Sequence, residues 1–171
     1  MIPELKQLYD ALELKRQSLF NLLYTLSADQ TTFRIGPDGW SIQMHLEHVV
    51  IAEALMVADM RRLSTGEVAN LPAKSPESFR RVLQVLEKDI PVEVPLPELE
   101  PTGRISLEEL IIRWEKARTG LKQIAETIGA ARLKTPACRH PAAGLLDARA
   151  TLEFRLVHLD HHRRRIQRIR D

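Results

Sequence analysis

The C-terminal stretch LVHLDHHRRRIQRI, residues 156 to 169, holds three of the chain's six histidines, followed at once by three arginines. Imidazoles ligate metals and move protons, and a basic run can contact nucleic acid, so what this stretch does depends on where each ring points. At about 100° per residue, His158 and His162 lie about 40° apart on one helical face. Thr151 and Ile169 point between them, with Leu159 and Ile166 on one flank and Phe154 on the other. Glu153, Asp160, Arg164 and Gln167 take the opposite side. The pair therefore faces a core, while His161 turns about 60° toward the edge. A spacing of four lets two imidazoles of one helix grip one ion, as in zinc-protease helices. Two histidines hydrogen-bonded in a polar patch of the core fit the same pattern.

A second stretch, GWSIQMHLEHVVIAEAL, bears on that choice. His48 shares its stripe with Met44, Ile51, Ala52 and Leu55, so it too faces inward; His45 lies nearer the flank and Glu47 points outward. Three inward rings need partners, because a buried polar group without one is costly. They satisfy each other only in part, whereas one bound cation satisfies all three and keeps open coordination positions. His48, His158 and His162 are thus the candidate ligands of a divalent metal ion.

The elements that must position them are helical. An apolar stripe through Leu5, Leu8, Leu12, Leu19, Leu22 and Leu23 predicts a first helix from Pro3 to about Thr25. Ser41 caps a second that runs to about Leu63, and Ser106, with Glu109 at capping-box spacing, opens a third that ends near Ile128. Asp147 caps a fourth that continues to the C-terminus. Between the second and third, Ser75-Pro76-Glu77 starts a short helix to Lys88. The run PVEVPLPELEP then forbids a helix and favours an extended surface crossover. Residues 131 to 146 read as a loop, and no strand pattern stands out. The expected fold is all-α, a four-helix bundle with one long crossover, formed as a single domain over residues 1–171.

Bulk composition narrows the function classes. The 25 basic residues nearly balance 23 acidic ones. Arg163, Arg164, Arg165, Arg168 and Arg170 spread around the helix without interleaved aromatics, which argues against a nucleic-acid surface and for solvation of the helix end. No apolar run reaches roughly 18 residues, so no membrane span is expected. The lone Cys138 excludes an internal disulfide and fits a reducing, cytoplasmic setting; it reads as an unreactive loop thiol.

GWSIQMHLEHVVIAE, with His48 placed after Trp40-Ser41, resembles the second helix of the DinB/YfiT-like superfamily. HPAAGLLDARATLEFRLVHLDHHRRRIQRI resembles its C-terminal signature: a His-Pro, a Gly-Leu, then H-x-x-x-H before an isoleucine. The resemblance implies an up-down-down-up bundle, commonly a homodimer. It implies a divalent ion, zinc or nickel, held by His48, His158 and His162. It also implies an enzyme acting on a small-molecule substrate, a thiol S-transferase with a low-molecular-weight thiol as cosubstrate. A metal-dependent hydrolase and a non-catalytic dimeric binding module with a structural or vestigial metal site are the alternatives.

Relatives often carry glutamine three residues after the last ligand, where this chain has Arg165. The remaining polar residues are read more plainly. His45 and His161 are surface or supporting groups, and His140 is a loop histidine. Glu47 and Glu53 sit on solvated or interhelical faces, and Trp40 packs beneath the start of the second helix.

Overall fold

The computed structural model describes residues 1–66, 72–90 and 93–171. Helix α1 (Pro3–Leu23) begins on Pro3 and buries Leu5, Leu12, Leu19 and Leu23. A short α2 (Ala28–Thr32) follows. Helix α3 (Ile42–Ser64) is capped by Ser41, α4 (Pro76–Glu87) by Ser75, α5 (Leu107–Thr127) by Ser106 and α6 (Ala148–Arg170) by Asp147. Each cap side chain accepts one of the amide protons that a first helical turn leaves unpaired. At α6 the bond runs from Ala150 N–H to the Asp147 carboxylate, at 2.8 Å.

The Ser106–Glu109 spacing predicts reciprocal bonds, but only half of the box forms. Glu109 N–H donates to Ser106 Oγ at 3.2 Å, while the Glu109 carboxylate takes Arg113 Nε at 2.7 Å instead. The full box forms at Ser27 and Gln30, at the head of α2, which the hydrophobic pattern does not predict. Its signal was the S-x-x-Q spacing itself.

Side-chain pairs fix the directions of the long helices. Along α1 and α5 the partners run in opposite order: Glu13 meets Arg118, Arg16 meets Glu115, and Phe20 meets Trp114. Helices α3 and α5 run together, since Glu53 meets Trp114 while Gly120 lies against Val57 and Arg61. Helix α6 opposes α3, with His45 beside His162, His48 beside His158 and Glu53 beside Arg155. The bundle is therefore up-down-down-up. Because α3 and α5 are parallel, the chain between them must return along the bundle. Helix α4 lies in that return, at the expected place, and docks on α6: Arg164 Nη2 donates to Leu86 O at 2.8 Å and Arg165 Nε to Asp89 Oδ1 at 2.8 Å. These arginines clamp an element to the bundle; they are not the solvating fringe that their sequence suggests. Pro91 and Val92 of the proline-rich run lie outside the described residues, and Pro97–Leu99 form one 3₁₀ turn.

The segment read as a loop holds an antiparallel hairpin, β1 (Pro136–His140) and β2 (Gly144–Asp147). Its strands are too short to show alternation, and the crossover holds them. Leu145 N–H donates to Pro72 O at 2.8 Å, and Lys74 N–H donates to Leu145 O at 3.0 Å. Gly144 has φ +81°, and a Cβ there would stand 2.5 Å from Pro72 O. Only glycine accommodates both. Among the described residues no helix is long and apolar enough to cross a membrane.

Candidate metal centre

Antiparallel packing of α3 on α6 sets His48 opposite His158 and His162. His48 Nε2 and His162 Nε2 each lie 3.2 Å from His158 Nε2. The candidate ligand atoms of the three all fall within 4.8 Å of one another, and all three residues are buried. Two bonds of about 2.0–2.1 Å from one ion, at a tetrahedral or octahedral angle, put their nitrogens roughly 2.8–3.4 Å apart. The observed separation lies in that range. Three imidazoles are also the donor chemistry that suits zinc, nickel and similar divalent ions. The residues present therefore fit a divalent ion.

Burial keeps these rings neutral, the form in which imidazole ligates. Desolvation, helped by the Arg155 guanidinium, pushes His48 down to about 4. Desolvation and then Arg165 push His45 to about 3. His158 and His162 are held well below the ordinary histidine value by burial, with Arg155 next for His158 and the neighbouring His158 next for His162.

Each ring nitrogen that faces away from the cluster has its own partner. His48 Nδ1–H donates to Leu99 O at 2.8 Å, the arrangement that ordinarily orients a ligating histidine. His162 Nδ1 stands 3.0 Å from His45 Nδ1. His158 Nδ1 takes Arg155 Nη1 at 3.0 Å. The Trp40 ring lies 5.2 Å, 5.1 Å and 6.2 Å from those of His45, His48 and His162. It packs at the start of α3 as expected, and it also walls the cluster.

Below the histidines sits a group that sequence reasoning missed. Arg155, 1% exposed, donates through Nη2 to Val49 O at 3.1 Å and to Glu53 Oε2 at 3.3 Å. The same carboxylate oxygen takes Arg118 Nη2 at 2.9 Å and Trp114 Nε1 at 3.1 Å. Glu53 thus occupies an interhelical position, and a fully buried one. An arginine three residues before an inward histidine was the available signal for Arg155.

Other expectations need correction. Glu47, read as outward, is fully buried because the returning crossover covers its face. Its carboxylate accepts from Thr102 N–H at 3.0 Å, Thr102 Oγ1–H at 2.9 Å and Gly103 N–H at 2.7 Å. His45 and His161, read as flanking groups, are buried as well. His161 lies beneath the end of α4, with Nδ1 3.0 Å from Asp89 Oδ1 and 3.2 Å from Leu86 O. Arg165 pairs with the same Asp89.

His140 caps the hairpin turn, its Nδ1 accepting from Ala142 and Ala143 N–H at 3.2 Å and 3.1 Å. It packs on Phe154, which separates it from His158. Cys138 lies buried on β1, where desolvation pushes its thiol up to about 12 and suppresses its nucleophilicity.

A family model described as the DinB superfamily matches residues 11–166, a span that contains all three triad histidines. No curated protein and no solved structure matches the chain.

Proposed function

The chain belongs to the DinB superfamily, and from that membership we propose that it is a divalent-metal-dependent thiol S-transferase. His48, His158 and His162 are its metal ligands, with zinc or nickel as the ion. One observation carries the reading: three neutral imidazole Nε2 atoms from two helices converge at ligating distance in a buried cluster. A bound divalent ion supplies a lowered pKa to a coordinated thiol or water, which makes a nucleophile at neutral pH. The chain's own groups supply the rest. Leu99 O and His45 orient two of the rings, Trp40 walls them, and the buried Glu53 holds Arg155 beneath His158. The cosubstrate is a low-molecular-weight thiol and the substrate a small molecule, and the working form is a homodimer as in relatives.

The test is elemental analysis of protein purified without a histidine tag, beside a His158→Ala variant. The expected result is one divalent ion per chain in the wild type and its loss in the variant. Absence of metal in the wild type, or its retention in the variant, overturns the assignment. A screen of thiols then separates transfer from hydrolysis of the same electrophile by water.

The hydrogen bonds within the triad favour a second reading. At 3.2 Å the single His158 Nε2–H has acceptors within the triad, so a non-catalytic module that uses these bonds to specify the core needs no ion. Metal that binds stoichiometrically, without thiol transfer and with a collapse of thermal stability on chelation, would support that structural role.

A further inference from the structure

We propose that His45 is a positioning residue that fixes His162 in the tautomer with a bare Nε2 aimed at His48 and His158. The inference rests on the metal reading above, and it adds a residue that the triad does not contain.

The two Nδ1 atoms lie 3.0 Å apart, so one proton is shared between them, and one ring must give while the other takes. The neighbours decide the direction. Arg155 offers only donors, so His158 Nδ1 accepts, and the neutral His158 carries its proton on Nε2. His48 Nδ1 faces the carbonyl of Leu99, so its proton sits on Nδ1 and its Nε2 is bare. If His45 donated to His162, the His162 proton would move to Nε2 and meet the His158 Nε2–H head-on at 3.2 Å. The reverse assignment has no such clash. His162 donates Nδ1–H to His45, and its Nε2 lone pair accepts from His158.

His45 therefore performs for His162 what Leu99 O performs for His48. His45 lies near the start of α3 and Leu99 on the returning crossover, so two separate segments orient the two rings. His45 is itself buried against the Trp40 ring, which limits the rotations open to it.

Three proteins test this: wild type, His45→Asn, whose side-chain oxygen sits near the lost Nδ1 and can accept, and His45→Leu, which cannot. Zinc alone is titrated against a chromophoric chelator, and two-dimensional proton–nitrogen NMR reads the tautomer of His162 in metal-free protein. The expected result is His162 protonated on Nδ1 in wild type and Asn variant. The Leu variant should show a shift toward Nε2–H and bind zinc about 10–100-fold more weakly, with the Asn variant close to wild type. A folded Leu variant with wild-type tautomer and affinity overturns the proposal. If the Leu variant does not fold, the wild-type spectrum decides: a His162 proton on Nε2 overturns it and one on Nδ1 upholds it. Failure of the wild type to bind zinc sinks the metal reading, while the NMR result still shows separately whether His45 orients His162.

Discussion

Arg155 Nη1 stands 3.0 Å from His158 Nδ1, so this ring receives a hydrogen bond at the nitrogen from which a ligating histidine ordinarily donates one. The proton of neutral His158 is thereby left on Nε2, among the other two rings. A metal ion at Nε2 needs that proton moved to Nδ1, since neutral imidazole is the ligating form, and Arg155 must then turn away from His158. We expect metal binding at pH 7.5 to release no proton from this ring and to break the Arg155–His158 bond. Calorimetric titration in buffers of different ionisation enthalpy measures the count. Release of about one proton per ion would mean that His158 binds as the imidazolate with Arg155 still in place.

Among the described residues, Glu53 is the only carboxylate that both Arg118 and Arg155 reach in the core, and all three side chains are nearly inaccessible. Replacing it with alanine strands two guanidinium groups away from water. We expect Glu53→Ala to lose about 3–5 kcal/mol of stability, with Glu53→Gln milder because its side-chain oxygen still accepts. Urea unfolding monitored by circular dichroism gives the difference. An alanine variant within about 1 kcal/mol of wild type would show that the network contributes little.

The metal-free protein should weaken in acid. Desolvation lowers His48 to about 4 and His45 to about 3, from an ordinary value of 6.5. The unfolded chain therefore binds more protons than the folded one once pH falls below that value. Their contribution is complete above about pH 6.5 and is lost progressively toward pH 4 and below. Thermal melts with chelator at pH 7.5, 5.5 and 4.5 should show a falling Tm, by about 2–4 °C for each kcal/mol lost. A Tm unchanged over this range would mean that the rings are hydrated or already paired with acid.

Gly144→Ala should destabilise the hairpin and its hold on the crossover. It places a Cβ within 2.5 Å of Pro72 O, at a φ of +81°. A loss of roughly 1–3 kcal/mol is expected, together with faster amide exchange at Leu145 and Lys74, whose N–H groups bond across that junction. Exchange as slow as in wild type would overturn it.

Much of this protein is local enough to read from the chain. Ser41, Ser75, Ser106 and Asp147 cap helices because a short polar side chain meets an amide three residues on, a relation that needs no other element. Helical phase alone turns His48, His158 and His162 to one side of their helices. Spacing therefore determined the bundle helices and the triad, and the quoted motifs indicated the family.

Phase gives an angle but does not say what covers it. Glu47 points away from the bundle axis and is still buried, because the returning crossover closes over it. His161 turns toward the edge and is capped by α4. His45, one turn before His48, becomes a partner of His162 only once α6 runs antiparallel beside it. Arg155 and Glu53 are 102 positions apart, and nothing local to either announces the other. Tertiary structure decided these features, since an imidazole's or a guanidinium's role depends on the partner and the dielectric that distant segments bring to it.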